Sequence, residues 1–113
     1  MMELTERQMG VVERLVEAGF RPVAIPPYES TLILRKGECV GLLKPVANGG
    51  LELAVPVTFL IDGNVSVKVK RGNGEVFVWK GKELEATEER LRELEGFRAE
   101  LVGILETCGR ERS

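Results

Sequence analysis

Residues 51–61 alternate between large apolar side chains and other residues, and this alternation constrains the fold more than any other feature of the chain. Such a period is typical of a strand with one buried face. A three-residue loop at Asp62-Gly63-Asn64 pairs Phe59 with Val67 and keeps the apolar residues on one face. Pro56 lies inside the strand and predicts a bulge or an edge there. The apolar positions are Leu51, Leu53, Val55, Val57, Phe59 and Ile61.

Two further hairpins extend this sheet. Residues 28–35 and 38–44 flank Lys36-Gly37, where a two-residue turn places Leu34 opposite Cys39. Both faces of this hairpin are apolar, which predicts a central position in the sheet.

The last hairpin turns at residues 72–74 and has two registers. A three-residue loop places Phe77 opposite Val69, and a four-residue loop places Phe77 opposite Lys68. We favour the first register because it also pairs Trp79 with Val67 and so buries both aromatic side chains.

Helices are predicted at both ends of the chain. Thr5 and Gln8 match a capping box, which predicts a helix over about residues 6–18 that ends at Gly19. A longer helix starts near Leu84 or Thr87, ends near Thr107, and is followed by Gly109. Its apolar stripe consists of Leu91, Leu94, Phe97, Leu101, Ile104, Leu105 and Cys108.

The predicted fold class is therefore α+β. An antiparallel meander of five or six strands is flanked by an N-terminal helix and a long C-terminal helix, both packed on one face. Residues 1–113 form a single domain, in which we expect the tail 109–113 to be frayed.

Composition argues against most enzyme classes. The chain has no histidine, two cysteines and one aspartate, so the commonest general base and metal ligand is missing. We therefore expect no enzymatic activity, no metal and no cofactor. The alternative is an enzyme that relies on Tyr28, Glu29 or Cys39. The competing interpretations are a polar turn for residues 28–31 and small apolar roles for Cys39 and Cys108.

Charge and hydropathy predict a cytoplasmic protein without a membrane contact. The longest uncharged run is residues 53–61, far shorter than the roughly 20 residues of a membrane helix. The N-terminus is charged from its third residue, and the net charge is −2. Gln8 is the only glutamine, and this scarcity of amides beside 30% charged residues resembles thermophile usage.

A basic hairpin supports one alternative function. Residues 63–82 carry five cations and one anion, Glu75. If Phe77 and Trp79 share a face with the lysines, the hairpin could bind nucleic acid by stacking and phosphate contacts. The competing interpretation is an edge protected by lysines, or one neutralised by acidic neighbours. The cations are Lys68, Lys70, Arg71, Lys80 and Lys82.

A stripe of small residues in the C-terminal helix supports the leading hypothesis. Gly96, Ala99 and Gly103 recur at i, i+3 and i+7 and so share a helix face. We expect this face to adjoin Phe97 and Ile104 and to let another backbone approach closely. That backbone belongs to the first helix, with Gly10 as its counterpart, to the sheet, or to a second copy. The alternative is that these glycines are only tolerated at the surface. The leading hypothesis is a non-enzymatic interaction module that forms a homo-oligomer, which we expect to be a homodimer, through this helix or a sheet face.

Overall fold

The computed structural model describes residues 4–28, 31–46 and 50–110, with side chains described as far as Thr107. Along the described part of the chain, one helix precedes nine strands and a second helix follows them. The elements are α1 (Glu6–Glu17), β1 (Arg21–Val23), β2 (Leu32–Lys36), β3 (Cys39–Pro45), β4 (Leu51–Leu53), β5 (Thr58–Ile61), β6 (Asn64–Val65), β7 (Val67–Arg71), β8 (Gly74–Trp79), β9 (Lys82–Glu85) and α2 (Glu88–Arg110).

Helix α1 begins and ends as the sequence predicts. The Gln8 backbone N–H donates to Thr5 Oγ1 at 3.1 Å, and the Thr5 N–H donates to Gln8 Oε1 at 2.9 Å, which completes the capping box. At the other end Gly19 has a φ of 100°, and the Phe20 N–H donates to the Leu15 carbonyl at 3.0 Å. This ending turns the fully buried Phe20 back into the core.

Strand β3 is the centre of a six-stranded antiparallel sheet, as the apolar character of both its faces predicts. It pairs with β2 on one side and with β4 and β5 on the other. The predicted hairpin register is wrong, because Leu34 lies opposite Gly41 rather than Cys39. The turn is Gly37-Glu38, and Gly37 supplies the positive φ of 64°. The two-residue difference leaves every side chain on its predicted face.

The alternating segment 51–61 forms two short strands rather than one. Leu43 pairs with Leu53, and Val40 pairs with Thr58, so three steps along β3 oppose five steps along its partner. The two additional residues form the interruption that Pro56 predicts. Val55 lies in this interruption and is 45% exposed, which removes it from the predicted apolar face.

The next turn has two residues, Asp62 and Gly63, which have positive φ values of 51° and 77°. This geometry pairs Ile61 with Asn64, so the predicted pairing of Phe59 with Val67 is wrong. After Val65 the chain leaves the six-stranded sheet at the buried Ser66, whose Oγ lies 2.6 Å from the Phe59 carbonyl. The Ser66 hydroxyl donates to that carbonyl, so the buried hydroxyl is hydrogen-bonded where the chain leaves the sheet.

Strands β7, β8 and β9 form a second, three-stranded sheet. Phe77 lies opposite Lys68 across a two-residue turn, so the register that we favoured is wrong and the alternative pairing is present. Phe77 is nevertheless fully buried, because its ring packs edge-to-face on Phe59 with centroids 5.1 Å apart. The second sheet therefore packs against the first through its aromatic side.

Helix α2 follows β9 and completes the α+β fold. Thr87 Oγ1 accepts the Arg90 N–H at 3.1 Å, so the helix starts at the second of the two predicted positions. The prediction that Gly109 ends the helix is wrong, since the backbone stays helical to Arg110.

The main core lies between the six-stranded sheet and both helices, as predicted, and a smaller cluster fills the opposite face of that sheet. The main core is formed by Val11, Leu15, Phe20, Leu34, Cys39, Leu43, Leu51, Phe59, Phe77, Leu94, Phe97 and Leu101, and the smaller cluster by Ile25, Ile33, Val40, Leu42 and Leu60.

Candidate interaction surface

The inner side of α2 is closed by tight packing on strand β3. A Cβ atom at Gly41 would lie 2.8 Å from Leu101 Cδ2 and 3.4 Å from Phe97 Cε1. Leu101 is fully buried, and the Phe97 ring packs edge-to-face on Phe20 with centroids 5.4 Å apart. The close approach of α2 therefore depends on a glycine in the sheet, which the sequence analysis did not single out.

Lys36 links three elements at the rim of this packing. Its Nζ donates to Glu100 Oε1 at 2.8 Å and to the Ala18 carbonyl at 2.9 Å, near the end of α1. The same nitrogen lies 4.9 Å from the centroid of the Phe20 ring. Because α2, α1 and β2 meet at one ammonium group, their relative positions are well defined on this side.

The outer side of α2 is open. We call Gly96, Ala99 and Gly103 the small-residue face, and all three are exposed. A Cβ atom at Gly96 or Gly103 would meet no atom within 4 Å. At about 100° per residue, both glycines point roughly 140–160° away from Leu101. The predicted close approach by α1 or the sheet is therefore wrong, and Gly10, which also has open space, is not a counterpart.

The other two predicted interface residues lie elsewhere on the helix. Phe97 is only 6% exposed and belongs to the core, so it does not adjoin the open face. Ile104 is half-buried and lines a groove of about 520 Å³ between the two helices. Ala99 and Gly103 lie on the α2 wall of this groove. The other lining residues are Arg14, Glu17, Ala18, Glu100 and Thr107.

Carboxylates within the same molecule partner three of the five cations predicted to contact nucleic acid. Arg71 pairs with Glu83, Lys82 pairs with Asp62, and Lys68 Nζ lies 3.8 Å from Glu75 Oε2. These acidic partners belong to the second sheet and to the turn between β5 and β6.

The two remaining cations lie beside Trp79 and along β7. The Nζ of Lys80 is 5.4 Å from the centroid of the Trp79 ring, and Lys70 lies opposite Glu75 in the β-ladder. Phe77 shares the face of Lys68, as the stacking hypothesis requires, but its full burial leaves no ring surface for a base.

The outer face of the second sheet is apolar but is crossed by an ion pair. By register, Val67, Val69, Val76 and Val78 point to this side, which we call the valine face. Val67 is 59% exposed. Arg71 of β7 and Glu83 of β9 point to the same side and pair across β8. Their side chains therefore extend over part of the valine face.

Cys39 has the properties of a structural thiol. It is 1% exposed, and its Sγ lies 3.8 Å from Glu93 Oε2. Burial, together with the negative charge of Glu93, raises the thiol pKa from 9.0 to about 12. The thiol therefore stays protonated at neutral pH, which disfavours the nucleophilic role of the enzyme alternative.

The polar residues 28–31 of the enzyme alternative lie only partly within the described part of the chain. Tyr28 is 37% exposed, whereas Glu29 and Ser30 lie outside the described residues, as does the side chain of Cys108. The described part of the chain contains no group of three potential metal ligands. None of its helices is both long and apolar enough to cross a membrane.

No family model, curated protein or solved structure matches this chain. Function therefore has to be inferred from the surfaces of the molecule. The outer side of α2 is unusual because two exposed glycines lie within a long helix.

Proposed function

We propose that the protein is a non-enzymatic interaction module that self-associates through the small-residue face of α2. The observation that supports this proposal is the open space above Gly96 and Gly103 on an exposed, long helix. Each interior glycine costs a helix about 1 kcal/mol relative to alanine. A helix from a second copy can offset this cost by packing closely where side-chain bulk is absent.

The valine face is a weaker candidate for the same role. Its apolar surface is limited to three short strands, and the Arg71–Glu83 pair crosses it. A partner that covered the valine face would also have to cover this ion pair, and charged residues are depleted at the core of protein interfaces. We therefore propose the helix rather than the sheet as the contact.

Nucleic-acid binding is the alternative function, and the charge distribution supports it less well than self-association. Intramolecular carboxylates neutralise Lys68, Arg71 and Lys82, and the whole chain has a net charge of −2. We expect no binding to single- or double-stranded oligonucleotides at low salt. Affinity that falls steeply with added salt would instead support the alternative.

A cytoplasmic location is also part of the proposal. The absence of histidine and the scarcity of cysteine and aspartate support a role without metal, cofactor or catalysis. The partner that we propose is a second copy of the chain.

Substitution of Gly103 by leucine tests the contact directly. Leucine is a good helix former and has open space at this position in the monomer, so the fold should be retained. Its bulk should hold a second helix away and dissociate the dimer, which sedimentation velocity measures.

Gly10→Leu is the matched control, because Gly10 also lies on an exposed helix with nothing within 4 Å. Dissociation by Gly103→Leu but not by Gly10→Leu is the expected result. A Gly103→Leu protein that remains as dimeric as the wild type would refute the small-residue face as the contact.

A further inference from the structure

We propose that the two copies pair through antiparallel α2 helices, with a two-fold axis at Ala99 that brings Arg92 of one copy to Glu106 of the other. This inference rests on the proposed self-association and adds the orientation and register of the two helices. Its support comes from the spacing of the exposed residues and from the charges at both ends of the small-residue face.

The exposed seam of α2 has heptad spacing. Arg92, Gly96, Ala99, Gly103 and Glu106 are separated by four, three, four and three residues. This is the repeat with which one helix presents a continuous line of residues to another. The three small residues occupy the middle of the line, and one charged residue of each sign ends it.

The line is nearly symmetric about Ala99. Arg92 lies seven residues before Ala99 and Glu106 seven residues after it, while Gly96 and Gly103 lie three before and four after. In an antiparallel pair centred on Ala99, each glycine therefore lies within one residue, about 1.5 Å along the axis, of the position that faces the other glycine. The same register places each arginine against a glutamate, so a single arrangement satisfies both size and charge.

Both charges at the ends of the seam are only weakly paired within the described part of the monomer. Arg92 is 75% exposed at its side chain and reaches Glu88 only at 3.9 Å. Glu106 is exposed and has no ion pair within the described part of the chain. On the flanks of α2, by contrast, Arg98 contacts Glu95 at 2.6 Å and Lys36 contacts Glu100 at 2.8 Å.

A parallel arrangement is unfavourable for the same residues. It would place Arg92 against Arg92 and Glu106 against Glu106, and it would align two helix dipoles side by side. Charge complementarity therefore selects the antiparallel pair.

Charge reversal tests the register. Arg92→Glu and Glu106→Arg should each weaken self-association of the full chain by about tenfold or more, because each places like charges together at two symmetric positions. The double variant Arg92→Glu/Glu106→Arg restores opposite charges and should return the dissociation constant to near the wild-type value. Sedimentation velocity over a concentration series measures all three, and Glu13→Arg on α1 is the control reversal.

Each outcome decides a different part of the proposal. A dimeric wild type whose association neither reversal changes would overturn the antiparallel register and leave self-association standing. Two weakened single variants without recovery in the double variant would also overturn the direct Arg92–Glu106 contact. A monomeric wild type would refute the register together with the proposed function.

Discussion

The two sides of α2 differ in where they place their small residues. On the inner side, the helix carries large side chains, Phe97 and Leu101, and the glycine that admits them is Gly41 in β3. On the outer side, the small residues belong to the helix itself. Among the described residues, no atom lies within 4 Å of a Cβ built at Gly96 or Gly103, although Gly103 also lines the groove beside α1. Close packing inside the monomer therefore explains Gly41, and the proposed self-association would explain Gly96 and Gly103.

This difference shows that small residues on a helix do not by themselves indicate packing within the chain. The large side chains of α2 follow the core, and its glycines lie on the opposite side of the same cylinder. A glycine in a buried strand, by contrast, is lined by atoms that define its role.

Gly41→Val should cause the largest loss of stability on the inner side. The added methyl groups would overlap Leu101 Cδ2, which the packed core confines, and should cost about 3 kcal/mol in the free energy of unfolding. Leu101→Ala alone should cost about 2–5 kcal/mol by leaving a cavity. Urea denaturation measures both variants.

The two substitutions should compensate one another. In the Leu101→Ala background the valine at position 41 gains space, so its additional cost should fall to about 1 kcal/mol or less. Gly41→Ala is the milder variant to use if Gly41→Val does not fold. Fully additive losses would show that Gly41 and Leu101 do not share the contact that closes the inner side.

Gly103→Ala and Gly96→Ala should raise the free energy of unfolding, whereas Gly41→Val should lower it. Alanine favours the helix and meets no atom at either position, so each substitution should stabilise the monomer by up to about 1 kcal/mol. Urea denaturation at a concentration low enough to keep the chain monomeric measures the gain. A loss of stability at either position would mean that the outer side is closed by the molecule itself.

The smallest expected effect is a pH dependence of stability that arises from the buried thiol of Cys39 on the inner side of α2. The unfolded thiol loses its proton near pH 9.0, whereas the folded thiol keeps it until about 12. Its contribution to stability is therefore present below pH 9 and is lost as the pH rises from 9.0 towards 12. At the lower end of this range the loss should be less than about 1 kcal/mol.

Cys39→Ala should remove this part of the alkaline destabilisation, and Cys108→Ser serves as the control. The measurement is the free energy of unfolding as a function of pH for each protein. An unchanged alkaline slope in Cys39→Ala would show that the thiol beside Glu93 is not held in its protonated form.

The sequence predicts the architecture well because its signals are local. The capping box at Thr5, the positions of both helices and the central β3 strand follow from periodicity and cap chemistry. The registers of three hairpins do not follow, since the alternation within each strand does not specify which residues form the turn between them. Asp62 illustrates this, because its positive φ of 51° shortens the loop that we expected to include Asn64.

The candidate surface is only partly predictable for a related reason. Spacing places Gly96, Ala99 and Gly103 on one face, and the structure keeps them together on the exposed side of α2. The same spacing places Phe97 in the apolar stripe, and its contacts with Phe20 and Gly41 confirm that it faces the core rather than the small-residue face. Gly41 gave no sequence signal, because one glycine in an apolar strand has several explanations.

Sedimentation velocity of the wild-type chain over about 1–100 µM tests self-association most directly. We predict a concentration-dependent shift from the monomer of 12.5 kDa towards twice that mass, and this shift should be lost in Gly103→Leu. A wild-type protein that sediments as a 12.5 kDa monomer over the whole range would contradict self-association through α2.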